Sequence, residues 1–340
     1  MRFPDHIIEV PKDTQPVLSV VIHTEEEFDW SRPHSREETG VEHMRHLGRP
    51  QALFDRFGIV PNYVIGYPIA TQEAGYALLK GYAGEGRALI GAHLHPWVCP
   101  PYREEVNAFN SYPGNLPADL EREKLEVLTR AIQDNLGVTP RTYLAGRYGN
   151  GPNSLQILAE LGYEVDISVA PPIDYSSDGG PDYSRWTSAP AWMDGHRELL
   201  ILPGAGGYAG LLRRGGGPVY RLVTHPLLRP VRLAGILSRT GLFERSRLSP
   251  EDYSLSELKR LTRDLVSDGI RYLVFSFHSP SVHPGCTPYV KTQADLDRFL
   301  SVCERYFEFF FGEIGGRTLH PLEVKEELAG KSLRFKSISE

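Results

Sequence analysis

His93 and His95 lie two residues apart, at the end of an apolar stretch running from Ala88 to Leu94. In extended chain alternate side chains point the same way, so both imidazoles can reach one ion. His23 and Glu25 have the same spacing after the apolar stretch Pro16 to Ile22. Two imidazoles and a carboxylate, with a position left open for water, form the ligand set of a catalytic zinc-type site. Such an ion brings the pKa of bound water toward about 7 and polarises a carbonyl oxygen. The bland alternative for His93 and His95 is a pair of loop histidines with their own hydrogen bonds. Acids at another strand end, and Pro96 and Trp97 shaping the loop, favour ligation. Glu25, Glu26 and Glu27 form an acidic run, which is usually a solvated face. This run sits between an apolar strand and Phe28 and Trp30, which favour burial. One or two of its carboxylates are therefore expected to turn inward, Glu25 first.

His278 closes the apolar run Leu273 to Phe277. It reads either as a core histidine with a backbone partner or as a proton donor to a leaving group, since imidazole titrates near neutral pH. Arg147 follows Gly146 and reads as one half of an ion pair, with Asp166 as the candidate partner. The same pair could serve structure, tune a base or hold substrate oxygens. Trp97, Tyr102, Tyr112, Trp186 and Trp192 fall in loops, where they could stack on sugar rings or pack a lid.

These groups need a scaffold, and the chain reads as strand and helix repeated about seven times. Strands are expected at Pro16 to Ile22, Ile59 to Ile65, Ala88 to Leu94, Thr142 to Ala145, Tyr163 to Val169, Glu198 to Leu202 and Tyr272 to Phe277. Helices are expected at Glu42 to Phe57, Gln72 to Lys80, Leu116 to Leu136, Asn153 to Leu161, Ser254 to Leu265 and Thr292 to Phe311. Several stop at a glycine, such as Gly58 and Gly137. Ser254 and Glu257 have capping-box spacing. Ala170 to Gly195 reads as loop, and Gly204 to Gly217 as a flexible glycine-rich insert without phosphate-loop spacing. Alternation of this kind makes a parallel sheet with helical crossovers, either open or closed as a barrel. Every reactive cluster lies at or near a strand's carboxyl end, where such folds gather function, and several segments feeding one rim favour the barrel.

Composition narrows the class. The chain has 340 residues, 41% hydrophobic and 24% charged, with a formal net charge of −6. That is globular composition, ample for a core. The densest basic stretch, Leu211 to Arg232, reads as a solvated face, and nucleic acid is not an expected partner. Cys99, Cys286 and Cys303 form no disulfide framework and no Cys-x-x-Cys pair. No membrane span and no signal peptide are expected, which makes the cytoplasm the default location.

Four segments, in order, resemble the motifs of the polysaccharide deacetylase family, the NodB-homology carbohydrate esterases, and more closely its WalW-type branch. They are His23-Thr24-Glu25-Glu26-Glu27-Phe28-Asp29-Trp30, Ile90-Gly91-Ala92-His93-Leu94-His95-Pro96-Trp97, Ala145-Gly146-Arg147-Tyr148-Gly149 and Phe275-Ser276-Phe277-His278-Ser279-Pro280-Ser281. The resemblance spans Val17 to Pro321. It implies an α/β fold, an incomplete TIM-like barrel of seven β/α units. Residues 1–16 would then be an N-terminal extension, 17–321 the barrel with a loop insert at about 170–250, and 322–340 a tail. It also implies a divalent metal, usually zinc, and hydrolysis of an N-acetyl group from an amino sugar. Carried over by position, Glu25, His93 and His95 hold the metal, Arg147 orients the base, and His278 protonates the departing amine. The metal and a backbone N–H stabilise the oxyanion.

The sequence departs from that pattern in three places. The first motif normally opens with an Asp that serves as general base, and His23 stands there. Leu89 replaces a Glu before Ile90-Gly91, and His-x-His replaces the His-x-x-x-His of the main branch. A neutral His23 could still accept a proton from metal-bound water, or it could ligate the metal and stall turnover. The expected substrate is an N-acylated sugar of a surface polysaccharide or its precursor. The alternatives are an inactive relative that binds a glycan or a partner enzyme, and a hydrolase of a non-sugar amide.

Overall fold

The computed structural model describes residues 6–193, 198–228, 232–330 and 335–337. Its strands are β1 (His6–Ile8), β2 (Val17–Thr24), β3 (Asn62–Ile65), β4 (Leu89–Leu94), β5 (Thr142–Ala145), β6 (Val165–Asp166), β7 (Ala191–Trp192), β8 (Leu200–Ile201), β9 (Gly206–Ala209), β10 (Glu244–Arg247), β11 (Tyr272–His278), β12 (Arg317–Thr318) and β13 (Phe335–Ser337). Seven strands pair in parallel in the order β11-β2-β3-β4-β5-β6-β8. This is the expected incomplete barrel of seven β/α units. Among the described residues β8 and β11 share no ladder. Loop backbone spans the seam instead: Leu248 N–H donates to Ala205, Ala205 N–H to Val274 and Ser276 N–H to Leu248. Beyond β8 the sheet runs on antiparallel through β7, β1 and β13.

Strand alternation divides the core into two layers and aims the site. Leu18, Val20 and Ile22 of β2 pack outward with Leu273, Phe275 and Phe277 of β11 and with the helices. Val17 and Val21 pack inward with Val64, Leu144, Val165, Leu200, Tyr272 and Val274. His23, His93 and His278 each continue the inward-facing register of their strand. Because β11 and β2 pair with His278 opposite His23, the two imidazoles arrive together at the rim.

The expected helix Glu42 to Phe57 is split into a 3-10 turn, Glu42–His46, and an α-helix, Gly48–Arg56. Pro50 explains the restart, since proline is tolerated only in a helix's first turn. The capping box at Ser254 is present, and a second joins Thr292 to Asp295. The expectation of a flexible insert at Gly204 to Gly217 needs correction. Gly206–Ala209 is β9, paired antiparallel with β10, and a helix, Gly216–Val223, follows. A Cβ on Gly206 would stand 2.1 Å from the Pro171 carbonyl oxygen, so this glycine permits close backbone approach rather than motion. The strand expected at Tyr163 to Val169 shrinks to the two-residue β6. Pro321–Gly330 is helical. The loop expected at Ala170 to Gly195 extends partly outside the described residues. No helix of the described residues is long and apolar enough to cross a membrane. Cys99, Cys286 and Cys303 are unpaired.

Candidate active site

Three groups converge on one point. His93 Nε2 lies 3.3 Å from Glu25 Oε2, and His95 Nε2 lies 3.5 Å from the same oxygen. One ligand atom from each residue fits within 4.8 Å of the others, and all three residues are buried. The rear of each ring is fixed. His93 Nδ1 lies 2.8 Å from the Leu144 carbonyl, and His95 Nδ1 lies 2.8 Å from Glu26 Oε1. Such outer contacts turn the Nε2 lone pairs inward, as ligating histidines require. Glu25 Oε1 is buried and has no hydrogen-bond partner. An orphaned carboxylate oxygen beside two inward lone pairs is what a cation would satisfy, so the residues fit a divalent ion.

The neighbouring carboxylates divide in charge. Burial alone would raise the Glu25 carboxyl, but His278, His93 and His95 outweigh it and hold it below the usual carboxylate range. Glu26 is pushed up to about 8 by burial and by the Glu25 charge. Glu27 turns to another task. It accepts from the His43 backbone N–H and lies 3.0 Å from His43 Nδ1, whose Nε2 lies 2.7 Å from Ser279 Oγ. That chain ties the loop after β2 to the end of β11.

His278 stands across from the triad. Its Nδ1 lies 2.8 Å from Glu251 Oε2, its backbone N–H donates to Glu251 Oε1, and Ser281 Oγ–H holds the same oxygen. Burial opposes a charge on the ring, but Glu251 and then Glu25 overcome it and raise His278 to about 9. His278 is thus an imidazolium at neutral pH, with Nε2–H free of the Glu251 bond. His23 is the opposite case. Burial, then the charges of His278 and His93, push it well below its ordinary value, so the ring is neutral. Its Nε2 lies 3.5 Å from the Tyr148 hydroxyl, and its ring centroid lies 4.7 Å from that of His278.

Arg147 and Tyr148 adopt left-handed backbone, φ 55° and 58°, in the turn after β5. Such strain is borne where the surroundings fix it. Tyr183 Oη–H holds the Tyr148 carbonyl, and Ser168 Oγ accepts from the Ala145 N–H. The expected pair of Arg147 with Asp166 is not formed. Arg147 bonds Asp178 and Ser111 and stacks on Tyr112, 4.1 Å from ring centre to Cζ. Asp166 is buried in β6 and accepts from Asn150 and Ser168, and burial pushes it up to about 6. It supports the turn from behind and does not line the hollow. The reason is register: Asp166 faces Tyr143, one strand position away from the inward layer.

The hollow these groups line holds about 380 Å³, a volume on the scale of small-molecule sites. Phe28, Trp30, Trp97, Tyr112, Tyr148, Tyr175 and Tyr289 give it aromatic walls. Trp97 stacks on His95 at 4.2 Å. Trp186 and Trp192, also candidates from sequence, are buried elsewhere, and Tyr102 covers Lys124. Sequence reasoning missed Glu251, Arg247 and Lys124. Glu251 sits in an unpatterned loop, 27 residues before its partner. Lys124 lies on an amphipathic helix, yet its buried Nζ donates to the carbonyls of Pro96, Cys99 and Pro101 and to Glu104, clamping the loop after His95.

No protein-family model and no curated protein matches the chain. Solved structures do. A Mycobacterium smegmatis protein assigned as a polysaccharide deacetylase aligns over 99% of both chains, at 14% identity and a TM-score of 0.54. The PuuE allantoinase aligns over 93% of this chain and 91% of its own, at 15% identity and a TM-score of 0.53. A Pseudomonas aeruginosa protein assigned as a polysaccharide deacetylase aligns over 92% and 90%, at 14% identity and a TM-score of 0.51. The fold is of the NodB deacetylase type. Likeness at this identity extends to the fold alone, and chemistry has to be argued from the side chains.

Proposed function

We propose that the chain is a metal-dependent amide hydrolase that removes an N-acetyl group from an amino sugar of a surface polysaccharide or its precursor. One observation carries this reading: Glu25, His93 and His95 meet within 4.8 Å, Glu25 Oε1 beside them is buried without a partner, and a charged His278 stands opposite. A divalent cation held by these three residues, zinc by its ligand chemistry, would supply Lewis acidity to a water and to the acyl oxygen. The side chains do the rest. Neutral His23 accepts the proton that leaves the attacking water as its oxygen adds to the acyl carbon. His278 Nε2–H then protonates the sugar nitrogen as the C–N bond breaks, giving acetate and a free amine. Glu251 holds the imidazolium in place and stabilises its charge. The aromatic walls suit the faces of a sugar ring.

The test is metal content together with acetate release from N-acetylated sugars. Stoichiometric divalent metal, lost in the His93→Ala, His95→Ala pair, and acetate release abolished by chelation are expected. Unchanged metal content in that pair refutes the reading.

A second reading is favoured by His23 itself. A neutral imidazole facing the Tyr148 hydroxyl has no negative charge with which to draw a proton, where the resemblance calls for an Asp. On this reading the chain binds a glycan without turnover. Glycan affinity that survives chelation, with no acetate released and a gain on His23→Asp, would support it. The fold shared with an allantoinase motivates a non-sugar amide panel in the same assay.

A further inference from the structure

We propose that the hollow takes a substrate bearing a carboxylate, and that Arg247 is the residue that binds it. This rests on reading the hollow as the site of amide hydrolysis. Arg247 ends β10 and lies in the wall of the hollow, and also of a smaller cleft that His23 and Tyr148 share with it. Its Cζ lies 5.7 Å from the centre of the Tyr148 ring. Tyr175, Tyr253 and Tyr289 surround it as well. The other cations of the wall have acids: Arg147 has Asp178, Arg32 has Asp29 and His278 has Glu251. Arg247 has none within the 4.0 Å of a salt bridge among the described residues. Asp252 feels its charge but lies outside that distance.

A guanidinium withdrawn from water is normally paired, because stripping its hydration is costly. Phenol rings favour the cation but do not neutralise it. The uncompensated charge faces the space a substrate enters, and a substrate anion completes it. A planar fork of N–H donors matches a carboxylate in two parallel hydrogen bonds, and one positive charge balances one negative charge. The ligand class is therefore an N-acyl amino sugar with an acidic substituent, as in an amino-uronic acid. Neutral N-acetyl sugars leave Arg247 half-buried and without an acid.

Calorimetric titration of the metal-loaded protein tests this. The probes are N-acetylglucosamine, its C6-oxidised counterpart, the methyl ester of that acid and the 6-sulfate. The acid should bind about 10- to 100-fold more tightly than the neutral sugar, the scale of a charged hydrogen-bonded pair. The ester and the Arg247→Gln variant should lose that preference, and Arg247→Lys should keep part of it. Equal affinity for acid and neutral sugar in the wild type, or a preference that survives in Arg247→Gln, overturns the proposal. Preference for the sulfate over the acid also overturns it. If no sugar binds but N-acetylaspartate binds better than N-acetylasparagine in an Arg247-dependent way, the sugar reading fails while the role of Arg247 stands.

Different residues carry a second inference. The insert between β9 and β10 holds most of the exposed large apolar side chains of the described surface: Leu211, Leu212, Leu222, Leu227 and Ile236. Positions 199–243 contain no Asp or Glu, yet they contain Arg213, Arg214, Arg221, Arg229, Arg232 and Arg239, in a chain whose net charge is −6. Arg213 is paired with Asp264 and Asp268, while Arg214, Arg221, Arg232 and Arg239 have no carboxylate in salt-bridge reach among the described residues. Exposed leucines among unpaired arginines match the interface of an anionic bilayer. We infer that the insert docks the protein on such a surface.

Co-sedimentation with vesicles is the check. The full chain should pellet with phosphatidylglycerol-containing vesicles, should not pellet with phosphatidylcholine alone, and should be released by salt. Arg221→Glu with Arg239→Glu, or Leu222→Ser with Leu227→Ser, should each weaken binding, with unchanged melting. No lipid-dependent pelleting overturns the inference. So does a dimer in solution that the leucine pair dissolves, which would assign the face to a second copy.

Discussion

Replacing Glu251 by Gln isolates the charge that holds the proton on His278. In the folded chain His278 is raised from 6.5 to about 9, against the pull of its own burial. At 1.36 kcal/mol per pH unit this corresponds to roughly 3 kcal/mol of coupling between proton and fold. A histidine whose folded pKa is raised contributes stability that is fully present below its unfolded pKa and lost as pH rises through the folded one. The wild type should therefore lose on the order of 3 kcal/mol between pH 6.5 and pH 10, beyond any change in the variant. In Glu251→Gln the amide can donate to a neutral His278 Nδ1, so the ring no longer charges near neutrality. The stability gap should be widest near pH 6 and shrink to the residual hydrogen-bond loss above pH 9.5. Denaturant unfolding of metal-free protein from pH 6 to pH 10 measures it without any assumption about activity. Nuclear magnetic resonance titration of the His278 ring should report the same fall. A gap of constant size across that range, or an unmoved His278 titration, refutes the assignment of a Glu251-held imidazolium.

Three further outcomes follow from named contacts. Lys124→Met should cost about 3–5 kcal/mol in denaturant unfolding, since Glu104 and three carbonyls lose a buried cation. A cost under 1 kcal/mol would mean that the clamp contributes little. Gly146→Ala places a Cβ 2.4 Å from the Leu94 carbonyl oxygen and 2.5 Å from His95 Cδ2. It should cost about 1–3 kcal/mol and reduce bound metal, as measured by melting and elemental analysis. Glu26→Ala frees the rear of His95 and should weaken metal binding by about 10- to 100-fold in a competition titration, whereas Glu26→Gln, which keeps an acceptor, should restore most of it.

Much of the scaffold was legible because strands buried on both faces write long apolar runs, and helices end at glycines. Pro16 to Ile22 and Leu273 to Phe277 announce β2 and β11 in this way. The ribbon of β9 and β10 was not legible, because Gly206 is there for the Pro171 carbonyl, a distant neighbour. Arg147 was visible as a candidate, but its partner was misassigned. Asp178, in the loop after β6, has no pattern that ties it to Arg147.

Local sequence alone determined which side chains stand at the strand ends. Period-two alternation put His23, His93 and His278 on the inward face, and an extended chain put His95 beside His93. Only the closure of the sheet decided what those groups meet. Pairing β11 with β2 set His278 against His23, the loop before the Ser254-capped helix brought Glu251 to His278, and the seam carried Arg247 into the wall. Protonation depends on distances of a few ångströms between residues remote in the chain. Two histidines of the same type can therefore end as one neutral ring and one cation, a difference that neither residue's own neighbourhood encodes.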